Sequence, residues 1–502
     1  MPQMDRLGRF CGFLLLACTP LLLKAQRPVL ADVGSESERA RASASLLGAS
    51  LRGPGDAPTP AQTVQTVAVV TSLGLRLNWN SDFPSSVEQG PAWTGRGLTT
   101  ALQPRVAARW RGISVVLAPE LWTTQNTAPG LIPAGGANPY LDAMRPCCID
   151  LPQRLGPGSV GRVDPGHSAL EFQSFGARLA FTSAPVRIGP GLSHGILLSP
   201  DAPGFPRVEL GTSRPLRTVI GDFQGTLSAG QIGQTAWAPA RRNGSRSGSF
   251  VEGRWRPLSN DRLELGGARF YNRDWTGARA RDLLIPFGSL FNDAQRFQGA
   301  AADNQLVSIF GAVRSPDAGL EVWAEFGLND RQTDARELAV ELEHNSAWLF
   351  GLRKAWRNAA GALWSVEATG ASAKIPPIER FRGQATFYEH TPVTQGHTNR
   401  GHLLGTRLLE RNGGSELRID RHNTSGRIGL ILGTRDLSQE RALAVSEDRI
   451  RREWSVLAEW WRPATRGLEL FGRVGAIADL NRHPTRGDAY SVILTTGATW
   501  RP

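Results

Sequence analysis

Strict alternation of apolar and polar side chains is the feature that most constrains the fold of this chain. From Leu320 to Phe326, apolar residues alternate with two glutamates and a tryptophan, and residues 468–474 repeat the pattern. In residues 105–111, arginines occupy three of the four alternate positions. Because successive side chains of a strand point to opposite faces, these segments predict strands with one apolar face and one charged face. After residue 25 we find no apolar run long enough to cross a membrane as a helix.

Charge on one strand face is compatible with a soluble sheet or with a membrane barrel that encloses a wet lumen. Tryptophans near strand ends favour the barrel, because aromatic side chains form girdles at membrane interfaces. The girdle candidates are Trp454, Trp460, Trp461 and Trp500. We therefore predict an all-β fold, a transmembrane antiparallel β-barrel over residues 64–502, with a soluble β-sandwich as the alternative.

The first 25 residues predict a signal peptide. Arg6 and Arg9 form a basic segment before the apolar run Phe10–Leu23, which is too short to span a bilayer. Cleavage is expected after Ala25. Lipidation at Cys18 is the alternative, and the leucines that follow it argue against this.

Residues 26–63 are polar and rich in Ala, Ser, Gly and Pro. They predict a short N-terminal periplasmic leader, either partly disordered or containing one short helix. Ser35 is a candidate helix cap with Glu38 three residues later. The prolines between residues 54 and 60 would end that helix.

The formal net charge is +12, and removal of three cations and one acid with residues 1–25 leaves about +10. Lys354 and Lys374 are the only lysines after residue 25, so arginine carries the excess. Arginine forks suit carboxylates and phosphates, which indicates acidic polysaccharide or lipopolysaccharide as partners. Export excludes nucleic acid as a partner. A genome whose codon usage favours arginine over lysine would explain the arginine excess equally well. The adjacent pair Cys147 and Cys148 could form a disulfide and matches no zinc motif.

The segment Arg187–Pro206 is rich in Gly and Pro around the apolar core Ile196-Leu197-Leu198. It resembles the signature segment of the Wzi-type capsule assembly family. Further similarities occur in order along residues 90–410: Gly90–Gly97, Gly211–Arg217, Asp303–Leu306, Glu321–Asp330, Glu343–Ser346, Phe387–His390 and Gln395–Gly405.

The resemblance implies a monomeric barrel of about 18 strands in the cell outer membrane, with folded loops that plug the lumen. It implies lectin-like, non-covalent binding that assists attachment of capsular or exopolysaccharide, without enzyme activity or a cofactor. The alternatives are a porin-like channel for small solutes and an exported enzyme that acts on polysaccharide.

Two groups of polar residues are candidate polysaccharide contacts. The first flanks the signature segment and comprises Arg187, Asp201, Arg207, Arg214 and Arg217. These arginines could bind uronic-acid carboxylates at the extracellular mouth or form an internal salt-bridge lattice, and we expect the lattice to account for most of them. Glu321, Glu325 and Asp330 are the expected counter-ions.

The second group comprises Tyr388, His390, His397 and Arg400, with His402 nearby. Its possible roles are plug lining, sugar contact or metal binding. The histidine spacings of seven and five positions fit no zinc pattern, so we predict no metal.

Two patterns that suggest an enzyme fail on physical grounds. Residues 191–195 match G-x-S-x-G, but that motif needs a helix afterwards, and nearby prolines prevent one. Glu321 and Glu325 are four positions apart, or about 13 Å along a strand. Glycosidase carboxylates lie no more than about 9.5 Å apart.

Overall fold

The computed structural model describes residues 68–85, 90–131, 138–141, 148–200, 202–239, 244–257, 262–275, 277, 280–287, 303–329, 346–373, 387–390, 393–423, 425–438, 450–465, 467–483 and 487–502. The predicted signal peptide and periplasmic leader lie outside these residues, as do Asp201, Asp330 and Cys147. The chain separates into residues 1–30, which are outside the described part, and residues 31–502, which contain the barrel.

Eighteen antiparallel strands form one closed sheet in the described part of the chain. Their bounds are β1 Ala68–Asn80, β2 Gly97–Trp110, β3 Ile113–Leu117 with Glu120–Thr124, β4 Val160–Asp164 with Ala169–Ser174, β5 Ala177–Thr182, β6 Arg207–Thr212 with Leu216–Thr218, β7 Gly221–Gly233, β8 Ser245–Pro257, β9 Leu263–Asp274, β10 Asp303–Ser315, β11 Leu320–Asn329, β12 Ser346–Arg357, β13 Leu363–Ser372, β14 Gly413–Asn423, β15 Gly426–Asp436, β16 Arg452–Thr465, β17 Leu468–His483 and β18 Gly487–Trp500.

Each strand pairs with the next, and β18 pairs with β1 from Leu73↔Trp500 to Asn80↔Ile493, which closes the ring. The interrupted strands β3, β4 and β6 each contain a proline at the break, at Pro119, Pro165 and Pro215. Proline cannot donate a ladder hydrogen bond, so it interrupts pairing without ending the strand's course. The predicted antiparallel barrel of about 18 strands is confirmed.

Because apolar and polar residues alternate along the strands, each strand directs one set of side chains into the lumen and the other set to the outside of the barrel. On β11, Glu321 and Trp323 are buried inside the barrel, whereas Val322 is 45% exposed on the outside. Outward tryptophans form two girdles near the barrel ends: Trp110, Trp356, Trp460 and Trp500 at one end, and Trp79, Trp348 and Trp454 at the other. Trp461 was expected in a girdle, and this is wrong. It follows the outward Trp460 directly, so its side chain takes the lumen face.

The two ends of the barrel differ in their connections. At one end, here the turn end, the strands are joined by connections of two to five residues. At the other, here the loop end, the connections are longer except for the three-residue one between β17 and β18, and those after β5 and β13 fold into the lumen. We define the plug as residues 183–206 and 387–412, within the described positions. Among the described residues, no helix has the length and apolarity needed to cross a bilayer.

Candidate functional site

The plug is held first by its apolar core. Ile196, Leu197 and Leu198 are at most 2% exposed and belong to one hydrophobic cluster with inward side chains of β7 to β12, including Phe270 and Trp323. The run flanked by Gly and Pro thus supplies the apolar filling of the lumen. Burial of three such side chains stabilises the docked plug by several kcal/mol, at about 1.5–3 kcal/mol each.

Backbone groups of the plug bond to the wall and to each other. The Ile196 N–H donates to Glu325 Oε2 of β11 at 3.1 Å. The Tyr388 hydroxyl donates to the Ile196 carbonyl at 2.7 Å, and the Thr406 N–H donates to the Gly195 carbonyl at 3.0 Å. Glu325 was expected to be a salt-bridge counter-ion, but its carboxylate instead accepts from the plug backbone.

The close contact between the plug backbone and Glu325 requires a glycine at position 189, within the signature segment. Its φ is +102°, and a Cβ at this position would lie 2.8 Å from Glu325 Oε2. Only glycine combines that backbone conformation with so close a contact. Arg254 of β8 donates to the Gly189 carbonyl at 3.0 Å, which fixes the other side of the same residue.

Residues from the wall hold the second half of the plug. Arg246 of β8 is 1% exposed and donates to the carbonyls of Gly396 at 2.7 Å and Thr398 at 2.6 Å. His194 lies between Thr406 Oγ1, 2.9 Å from Nδ1, and Glu416 Oε1 of β14, 3.3 Å from Nε2. Our sequence reasoning missed Arg246 and Glu416, for which inward strand parity was the only available signal.

The G-x-S-x-G match contains His194 and has no elbow geometry. Residues 187–200 contain neither a strand nor a helix, whereas the hydrolase motif needs one on each side. Among the described residues, no group of three or more His, Cys, Asp or Glu side chains is placed to hold a metal ion. Cys148 is disulfide-bonded, and its partner lies outside the described residues.

The second candidate group lies within the plug. Tyr388 and His397 are fully buried, and His390 is buried with Nδ1 accepting from the Val393 N–H at 3.0 Å. Arg400 lies at the tip of a short hairpin, Thr398–Asn399 paired with His402–Leu403, and donates to Asp164 of β4 at 2.5 Å. Tyr388 and His397 stack with ring centroids 5.4 Å apart, whereas Arg400 reaches the wall at β4.

The first candidate group is divided between the two ends of the barrel. Arg187 lies in the plug, partly buried, with Nη1 3.4 Å from the Leu192 carbonyl. Arg207 is buried at the start of β6, where it pairs with Glu209 at 2.6 Å. Arg214 and Arg217 are exposed at the turn end. Placing them at the mouth was wrong, because β6 leaves the plug at Arg207 and runs along the wall to the opposite end.

An internal salt-bridge lattice lines the lumen. Of the first candidate group, Arg207 belongs to it, whereas Arg214 and Arg217 are exposed at the turn end, so the lattice is built mainly by other arginines. One chain of ion pairs joins β8 to β13 through Arg254–Glu264 at 2.9 Å, Arg314–Glu321 at 2.7 Å, Arg353–Glu321 at 2.9 Å and Arg353–Glu367 at 3.0 Å. A second cluster on β14 to β17 centres on Glu459. Each of these pairs provides a counter-ion for a charged side chain that points into the lumen, where an unpaired charge would be costly.

Burial lowers the pKa of His397 to about 4. Its Nε2 lies 2.5 Å from the Leu197 carbonyl, so the neutral ring donates there, while the buried Nδ1 has no hydrogen-bond partner among the residues that the structure describes. A proton on Nδ1 would therefore be an unpartnered buried charge. The undocked plug, with an ordinary histidine pKa near 6.5, binds the proton more readily.

Acid is therefore expected to loosen the plug. The docking contribution of neutral His397 is complete above about pH 6.5 and falls by up to about 1.4 kcal/mol per pH unit towards pH 4. Hydrogen exchange of the amides of residues 196–198, corrected for intrinsic rates, should lose protection between pH 7 and pH 5. His397→Gln should reduce this acid effect. An unchanged pH dependence in that variant would show that another group controls it.

No protein-family profile and no curated protein sequence matches this chain. Among solved structures it is similar to Wzi of Escherichia coli, described as a carbohydrate-binding β-barrel of the outer membrane involved in group 1 capsule assembly. The identity is 12%, the TM-score is 0.55, and the match covers 85% of this chain and 83% of Wzi.

Two further solved structures are from Pseudomonas aeruginosa. OccK9 (OpdG) is 11% identical with a TM-score of 0.42, covering 86% of this chain and 98% of that one. The outer membrane protein OprD is 9% identical with a TM-score of 0.39, covering 86% and 94%. The likeness to Wzi shows a shared outer-membrane β-barrel fold.

Proposed function

We propose that this protein binds capsular or exopolysaccharide non-covalently at its loop end and assists its attachment to the cell surface. The plug is the observation that carries this proposal. It is tied to β4 through Arg400, to β8 through Arg246, to β11 through Glu325 and to β14 through Glu416. A lumen filled and anchored on several sides favours a rigid binding scaffold over an open pore.

The barrel faces fit an outer-membrane location. Outward apolar residues between two tryptophan girdles would contact membrane lipid, and lipopolysaccharide would surround the loop end. Short turns face the periplasm in barrels of this kind, so we expect the loop end to face the outside of the cell. The carbohydrate binding described for Wzi supports the same role. We expect a monomer, because closure of the sheet leaves no free edge for another copy.

The test is binding by the purified, intact barrel. We expect the native protein to retard surface polysaccharide from its own cells in affinity electrophoresis, and the boiled protein to leave it unretarded. The chain length of the polymer should stay unchanged after incubation, because binding without turnover is proposed. Absence of retardation by a barrel that still shows heat-modifiable migration would refute the proposal, and shortened polymer would support an enzyme.

A further inference from the structure

Arg400 occupies a backbone position that does not favour arginine. Its φ is +52°, and the following Gly401 has φ +85°, so the two form the tip of the plug hairpin. Asn or Gly adopts this left-handed conformation more readily than a long side chain does. The Arg400 N–H donates to the Gly233 carbonyl at 3.1 Å, and its guanidinium reaches Asp164 with 28% of the side chain exposed. A strained arginine that stays partly exposed suggests a role for the side chain itself.

The guanidinium of Arg162 is near enough to that of Arg400 to interact with it electrostatically, and both interact with Asp164. Arg162 is on the lumen face of β4, two residues before Asp164, and its Cζ is 5.9 Å from the centroid of the Trp122 ring. On the plug side, the His402 ring meets Trp93 edge-on, with centroids 5.7 Å apart. Trp93 and Trp122 belong to one buried cluster. The hairpin tip thus brings Arg400 and His402 to a cluster made of Arg162 and Trp122 on the wall and Trp93 in the connection between β1 and β2.

Both indoles have hydrogen-bonding capacity that is unused. Trp93 is 7% exposed and Trp122 is 4% exposed, and in the described part of the chain neither Nε1 has a hydrogen-bond partner. A buried N–H without a partner costs about 1–3 kcal/mol, so native structures rarely retain one without a reason. Two such buried donors in one cluster are the hydrogen-bonding capacity that an oxygen-rich ligand would use on entering it.

The charges around this cluster do not balance. Arg76 pairs with Glu120 at 3.1 Å, and Arg400 pairs with Asp164, so Arg162 is the guanidinium in excess among these five groups. Burial, together with the positive charges of Arg162 and Arg400, lowers the pKa of His402 to about 4. His402 is therefore neutral at neutral pH, and the five described charged groups carry one net positive charge.

We propose that Arg162 and Arg400 bind the carboxylate of an acidic sugar unit, with the Trp93 and Trp122 N–H groups as donors to sugar oxygens. This inference rests on the proposed function and narrows its substrate to polysaccharide that contains uronic acid. Guanidinium forks match carboxylate geometry and give charge-assisted hydrogen bonds. A neutral polysaccharide would leave Arg162 without its counter-ion.

The test compares two probes that differ only in charge. Oligogalacturonate and its fully methyl-esterified form have the same backbone, and only the first carries carboxylates. We expect the native barrel to bind the acid form at least tenfold more tightly in microscale thermophoresis. Arg162→Gln and Arg400→Asn should reduce this preference to less than threefold, and Arg162→Lys should give an intermediate value.

Arg400→Asn suits the φ of +52°, so it removes the guanidinium while favouring the hairpin. Arg262→Gln changes an exposed arginine of the turn end, where Arg262 meets Asp317, and should bind like the native protein. Heat-modifiable migration confirms that each variant is folded. Equal binding of the two probes by the native barrel, or an unchanged preference in both folded variants, would overturn the inference. In that case, continued retardation of the cells' own polysaccharide would leave the proposed function intact.

Discussion

Replacement of plug residues 187–204 by a short glycine-serine linker is expected to raise single-channel conductance more than tenfold. The reason is geometric: barrels of 16 to 18 strands enclose an aqueous channel unless something fills it. In this protein the apolar run Ile196-Leu197-Leu198 fills the lumen, and the hydrogen bond from the Ile196 N–H to Glu325 helps to hold it there. Planar-bilayer recordings of both proteins measure the change, with the native barrel nearly silent.

Phe175→Ser is the matched control for the plug replacement. Phe175 is fully exposed in the turn between β4 and β5, far from the plug in the fold, so its substitution should leave conductance at the native level. Heat-modifiable migration must show that the linker variant still forms a barrel. If the native barrel conducts as well as the linker variant, the plug does not seal the lumen, and a porin-like channel becomes the better interpretation.

Glu459→Gln is expected to lower the free energy of unfolding by about 3–5 kcal/mol, the range for breaking a buried ion pair. Glu459 is 5% exposed and receives guanidiniums from three strands: Arg427 at 2.8 Å, Arg418 at 3.2 Å and Arg473 Nε at 2.7 Å. Without the carboxylate, these positive charges repel each other in a buried site. Urea titration of the folded band on gels measures the loss.

Glu469→Gln is the control for the charge network. Glu469 pairs with Arg501 near the turn end, where 54% of the arginine side chain is exposed, and such pairs contribute about 1 kcal/mol or less. Similar losses in the two variants would mean that burial does not set the strength of these pairs. A larger loss for Glu459 would show that the lattice keeps the lumen wall rigid around the plug.

The plug illustrates how far sequence reasoning reaches. The Gly and Pro content of residues 187–206 excluded a long helix or strand, and the apolar core within it required burial. The partners of that core could not be deduced, because they lie on β7 to β12 and in residues 387–412. Glu325 shows the same limit: its inward direction followed from alternation, but its bond to the Ile196 N–H depends on how the plug is seated.

The alternation of apolar and polar residues by itself determined that this chain forms strands with one apolar face and one charged face, because side-chain direction in a strand is a local property. The tertiary structure decided where each charge and each loop would lie. It placed Arg214 and Arg217 at the turn end, Trp461 towards the lumen, and Arg162 beside Arg400. These placements depend on strand register and on contacts between residues far apart in sequence, which no local pattern specifies.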